Sequence, residues 1–150
     1  MPKPEGLPSR RSGSAKLAAT PKEETWMSSY SVKRIDDMET AFGGGMRLAR
    51  AELGVASFGM QVEEFPPNFD QYPEHSHSED GQEEVYVVLR GSAEIEIDGE
   101  RIRLDPETIV RVGPGVSRRI FSGPQGVRIL ALGGVPGAAY EPPDFTKIQA

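Results

Sequence analysis

The chain has 150 residues and a net charge of −6, and its 17 glycines and 13 prolines fill a fifth of it, a size for one domain and a composition for turns and short strands rather than a helical bundle. It holds no cysteine, which excludes disulfide frameworks, thiolate metal sites, Fe–S clusters and Cys nucleophiles. The acidic balance argues against nucleic acid, and the longest apolar run, Val85 to Leu89, is far short of the roughly 18 residues of a membrane helix. The expected partners are therefore small molecules or other proteins, and the expected location is cytoplasmic.

Residues 1–25 carry five basic and three acidic groups, a net of +2 that leaves −8 for the rest, and Leu7 and Leu17 are their only large aliphatics. Such a stretch cannot offset its ordering entropy by burial, so a disordered extension is expected over 1–26 and a single domain over 27–150. Ile35 to Phe42 reads as a helix, with Asp36 and Asp37 at its start and Gly43-Gly44-Gly45 at its end. Met46 to Leu53 reads as a second short helix or an edge strand.

Strands follow. Ala56 to Phe65 is one, closed by Pro66-Pro67-Asn68, and Glu84 to Arg90 is another, turning at Gly91. Ala93 to Asp98 alternates apolar and acidic residues, Asp98-Gly99 supplies a two-residue hairpin, and Arg101 to Leu104 returns. Thr108 to Val112, Arg118 to Phe121 and Val127 to Leu132 continue the series, separated by Gly113-Pro114-Gly115 and Ser122-Gly123-Pro124. Even spacing without intervening helices means an all-β antiparallel barrel or sandwich. Met60, Val62, Ile95, Ile109, Ile120 and Ile129 are among the expected core residues. Tyr140 and Phe145 are expected to tie the Pro-rich end to the surface or to a second subunit.

The only two histidines are His75 and His77. A separation of two puts both rings on one side of an extended segment, and paired imidazoles suit a divalent metal. Glu83 and Glu84 begin the most apolar strand, where an acid is costly unless paired or metal-bound. On that strand Glu84, Tyr86 and Val88 share a face. The hydroxyl of Tyr86 is a candidate proton donor or substrate contact, against the alternative of an aromatic lining residue. Glu79, Asp80 and Glu83 read as solvated loop charges.

His75-Ser76-His77, then Glu84, then six residues to Gly91 resembles the first motif of the cupins, small β-barrel or jelly-roll proteins, and the stretch EEVYVVLRGSAEIEIDGE from Glu83 to Glu100 extends the likeness. The resemblance covers about residues 56–133. Gly113-Pro114-Gly115-Val116-Ser117-Arg118 is similar to the second cupin motif, Pro-x-Gly-x-x-His. Two features depart from the family. The gap from His77 to Glu84 is two residues longer than usual, and the family's third histidine falls on Arg118, which has no lone pair to give a metal.

The resemblance implies a cupin-type antiparallel barrel with one or two short N-terminal helices, a homodimer, and a site of His75, His77 and Glu84 around Fe, Mn, Ni or Zn without an organic cofactor. Arg118 would then bind an anionic substrate, Tyr86 would assist proton transfer, and the reaction would be a dioxygenation, decarboxylation or isomerisation of a small polar compound. The alternative is a metal-free, non-catalytic binding or sensor barrel in which a Glu84–Arg118 pair replaces the metal. A divalent ion and a guanidinium about 6 Å apart repel by about 5 kcal/mol at an effective dielectric of 20, so Glu84 and a bound anion must offset that charge for the metal to stay.

Overall fold

Asp98 and Gly99 both take positive φ, 51° and 80°, the backbone of a two-residue hairpin whose twist matches its strands. They join β4 (Glu83–Ile97) to β5 (Glu100–Leu104), with Ile97 opposite Glu100 and Ala93 opposite Leu104. The computed structural model, which describes residues 29–148, builds the rest around two long strands, β4 and β7 (Arg118–Gly134), which pair antiparallel from Glu83↔Gly134 to Ile97↔Arg118. The N-terminal half of β4 also pairs with β6 (Ile109–Val112), and the outer edge of β7 pairs with β3 (Gly59–Phe65). Two short strands, β1 (Thr40–Ala41) and β2 (Met46–Arg47), extend the sheet beyond β3.

The sequence suggests turns at Gly91 and at Ser122-Gly123-Pro124, yet both strands run through them. The β4–β7 ladder shifts register between Val88 and Arg90 and again between Gly91 and Ala93, so the turn signals mark a bulged corner where the ribbon bends. Gly91 has φ 75°, and a Cβ there would meet the Gly126 carbonyl oxygen at 2.2 Å. The two strands approach too closely for a side chain, so glycine is required.

The bend folds the ribbon's two halves over one apolar core containing Tyr86, Val88, Ile95, Leu104, Ile120 and Ile129. Met60, Val62 and Leu130 face the other way, into a second cluster with Met38 and Ala49 beneath the N-terminal segment. Ile109, expected inside, is 67% exposed, because alternation on the short edge strand β6 turns it outward while Val112 is buried.

The helix expected over Ile35 to Phe42 does not form. Residues Ile35–Asp37 and Phe42–Gly44 make single 3-10 turns on either side of β1, because pairing β1 with β2 satisfies the backbone that a helix would have used. Met46 to Leu53 holds both readings at once: β2, then the short helix α1 (Ala49–Leu53), capped by Gly54 at φ 75°. The expected extension over 1–26 lies outside the described residues.

Candidate metal centre

The loop from Pro66 to Gln82 crosses the open end of the core along the start of β7. Ser122 pins its beginning, its hydroxyl donating to the Pro66 carbonyl at 2.6 Å and accepting from the Phe69 N–H at 2.7 Å. Further on, His75 and Arg118 exchange both backbone hydrogen bonds, at 3.1 and 2.9 Å, and the His77 N–H donates to the Pro114 carbonyl at 2.8 Å. The segment is therefore held extended, and the two-residue spacing turns both imidazoles toward Glu84 at the start of β4. One ligand atom from each of His75, His77 and Glu84 lies within 4.8 Å of the others.

The outward nitrogens of both rings are occupied. His75 Nδ1 lies 3.1 Å from the Pro73 carbonyl and His77 Nδ1 3.0 Å from Asp80 Oδ1, acceptors for an Nδ1–H that would leave each Nε2 lone pair to a bound cation. His77 Nε2 sits 2.8 Å from Glu84 Oε1, yet the ring is not aligned for a hydrogen bond, and this buried nitrogen has no hydrogen-bond partner. The other Glu84 oxygen accepts from the Tyr86 hydroxyl. Burial pushes the Glu84 carboxyl up, but the contacts with His77 and Tyr86 and the charge of Arg118 outweigh it and hold the group below the ordinary carboxylate range. Glu84, against the opposing effect of burial and with help from Asp80, raises the pKa of His77. The chemistry is that of a two-imidazole, one-carboxylate donor set suited to a divalent cation with open positions.

Tyr86 and Arg118 are near this group but behind it. Tyr86 is 1% exposed, and burial, followed by the charges of neighbouring Tyr72 and Glu84, pushes its phenol far up. Arg118 is 0% exposed, donates from Nη2 to the Gly113 carbonyl at 3.3 Å, and has no partner at Nε or Nη1. It makes no ion pair with Glu84, whose partners are His77 and Tyr86.

Three neighbours escape a reading of the sequence. Asp80, which reads as a solvated charge, accepts from His77, from the Gln82 N–H at 3.2 Å and from Gln82 Nε2 at 2.9 Å. Burial would raise its pKa, but these donors hold it low. Its place three residues after a histidine, before a glycine turn, is the signal that marks it. Glu63 is 7% exposed with Oε2 unpartnered; burial, reinforced by Glu84, pushes its carboxyl up to about 8. Adjacent Glu63 and Glu64 look alike until the register of β3 decides which one points inward. Tyr72 packs between Phe65 and His75, its ring centroid 5.6 Å from each.

His75, His77, Glu84, Glu63 and Tyr72 line a cavity of about 1220 Å³ whose mouth carries Phe42, Phe65, Phe69 and Phe145. The Cupin domain family profile matches residues 61–132, a segment from within β3 to within β7 that contains all of these site groups except the mouth residues Phe42 and Phe145. A cupin protein from Bacteroides fragilis superposes with a TM-score of 0.61 at 22% identity, over 83% of this chain and 98% of its own. The fold is that of a cupin. The Cnp3 cupin domain of Schizosaccharomyces pombe (21% identity, 53% of this chain and 56% of that one, TM-score 0.46) and a Cupin 2 conserved barrel domain protein from Salinispora arenicola (24%, 54% and 66%, TM-score 0.46) are similar over about half of this chain. No curated protein matches the sequence. No helix among the described residues is long and apolar enough to cross a membrane.

Proposed function

We propose that this chain is a metal-dependent, small-molecule cupin, with one divalent ion held by His75 Nε2, His77 Nε2 and a Glu84 oxygen at the floor of the cavity. The observation that carries the proposal is the convergence of His75, His77 and Glu84, one ligand atom of each within 4.8 Å of the others, with the Nδ1 atoms of both rings already engaged. A bound ion would supply Lewis-acid polarisation of a ligand oxygen. The chain's own groups do the rest. Asp80 orients His77, Tyr86 orients Glu84, and buried Glu63 faces the same cavity as a carboxyl able to hold or pass a proton. Dioxygenation, decarboxylation and isomerisation are the reaction classes such a site serves. Arg118 acts from behind as a fixed positive charge on Glu84. The proposal includes a cytoplasmic, homodimeric protein.

Elemental analysis of the purified full chain tests the centre. We expect close to one Fe, Mn, Ni or Zn per chain, retained through dialysis and lost in His75→Ala. A wild type that stays empty after incubation with each ion overturns it. One observation favours a metal-free second reading: the Arg118 guanidinium is wholly buried with two nitrogens unpartnered, and its charge acts on Glu84. In that case Glu84→Ala removes the negative charge that Arg118 acts on and lowers stability, read by denaturant unfolding, without any change in metal content.

A further inference from the structure

Two chain segments far apart in sequence meet over the mouth of the cavity. Phe42, at the turn after β1, and Phe145, in the C-terminal 3-10 turn, touch edge to face with ring centroids 5.8 Å apart. Both line the cavity, yet Phe42 is 70% exposed and Phe145 56%. Phe42 also has φ 53°, followed by Gly43 at 64° and Gly44 at 97°. Positive φ at a bulky residue is strained backbone, which persists where the surroundings hold it for a use. The positive φ run makes the tight turn from β1 to β2, closed by the Gly45 N–H on the Phe42 carbonyl at 3.2 Å, and this turn holds the Phe42 ring out over the cavity instead of burying it in the fold.

The size and lining of the cavity point the same way. At about 1220 Å³ it exceeds the roughly 300–1,000 Å³ of pockets that take drug-sized ligands, and a few-atom acid at the floor would leave most of it wet. From mouth to floor its wall is a run of rings: Phe65 and Phe69 stack at 5.0 Å, Tyr72 lies against Phe65, and His75 against Tyr72. Arg90 at the rim is already held by Glu64 at 2.6 Å. The buried polar atom of the wall without any partner, Glu63 Oε2, lies beside the Glu84 carboxylate, whose charge acts on it. A divalent ion with one carboxylate ligand keeps a net positive charge and takes an anionic oxygen at its open positions.

We propose that the cavity takes an amphiphilic monocarboxylic acid, its carboxylate at the His75–His77–Glu84 floor and its apolar chain or ring along the aromatic wall beneath the Phe42–Phe145 lip. The carboxylate end rests on the metal centre proposed above; the apolar end does not. The test titrates full-length protein, loaded with Zn(II), with acetate, butanoate, hexanoate and octanoate by calorimetry. Affinity is expected to climb by up to about fourfold per methylene. Phe42→Ser and Phe145→Ser should each weaken octanoate at least fivefold and leave acetate and Zn(II) binding unchanged. A flat series on Zn-loaded protein overturns the proposal. Failure of Zn(II) to bind wild type removes the metal centre and the carboxylate end with it, whereas a chain-length dependence that survives without metal and is lost in both Phe variants supports the apolar end. Octanoate affinity unchanged in Phe42→Ser, with an oligomer falling apart, assigns the ring pair to a subunit contact and overturns the lip.

Discussion

The barrel carries two charged clusters that treat their charges in opposite ways. On the outer face Glu64, Arg128 and Arg90 stand side by side across β3, β7 and β4, and Arg47 and Asp36 close the group. Arg128 meets Asp36 at 2.5 Å and Glu64 at 2.9 Å, Arg90 meets Glu64 at 2.6 Å, and Arg47 reaches both acids at 3.7 and 3.5 Å. Every charge there has a countercharge. Arg47 Nε is the one buried atom of that group without a hydrogen bond, whereas at the cavity Glu63 Oε2, and behind it Nε and Nη1 of Arg118, are buried without partners. Unpartnered buried polar groups cost folding free energy. The outer cluster is thus an arrangement for stability, pinning the N-terminal segment through Asp36, while the inner one gives up stability to keep an unpaired Glu63 carboxyl in the cavity wall.

Glu63 gives the largest test of that contrast. Its folded pKa of about 8 stands above the ordinary 4.5, so between those values the unfolded chain releases a proton that the folded chain keeps. Stability therefore falls as pH rises from about 4.5 to about 8 and is level above. Glu63→Gln removes the titration. In metal-free protein it should match wild type near pH 4.5 and be more stable at pH 8 and beyond, by up to about 5 kcal/mol. Denaturant unfolding across that range measures the difference, and a pH-independent one would mean that Glu63 is solvated or paired in the folded state.

Arg128→Ala attacks the other cluster. It leaves Asp36 and Glu64 without their main cation and removes a side chain only 10% exposed, so a loss of about 2–3 kcal/mol is expected. Metal content should not change, since none of the lost contacts touches the floor. A drop in metal content at constant fold would show that the two clusters are coupled.

How much of this was legible in the sequence depends on whether the signal was local. The His75-Ser76-His77 spacing, the acid at Glu84 and the Asp98-Gly99 hairpin are carried by neighbouring residues, and each emerges in the structure where the pattern puts it. The helix expected over Ile35 to Phe42 failed because strand pairing with β2, a nonlocal event, won over local start and stop signals. Gly91 was legible as special but not as a bulge, since its requirement comes from Gly126 across the ladder. Glu63 and Glu64 show the limit most sharply: adjacent and identical in type, they lie on opposite faces, one orphaned at the floor and one holding three arginines. A one-residue slip in β3 would exchange them.

Asp80 extends the inner cluster outward. Its contacts to His77 orient a metal-facing ring, so Asp80→Ala should lower Zn(II) affinity about 10–100-fold, read by competition with a chelating dye. Stability of the metal-free chain should change little, because the loop is also held by the His77 and Gly81 backbone bonds. A larger loss of stability than of affinity would make Asp80 a loop staple and not a positioning residue.

The smallest effect belongs to Arg90. It meets Glu64 at the short distance of 2.6 Å, yet its side chain is 62% exposed, and Glu64 keeps Arg128 and Arg47 if Arg90 is removed. Exposed pairs of this kind contribute about 0–1 kcal/mol, diminished further by salt. Arg90→Ala should therefore shift the unfolding midpoint barely at all, and by less at high ionic strength. Because Arg90 also lines the cavity mouth, the same variant separates length from function: a short ion pair whose loss leaves stability untouched but alters octanoate binding would place Arg90 with the ligand and not with the outer scaffold.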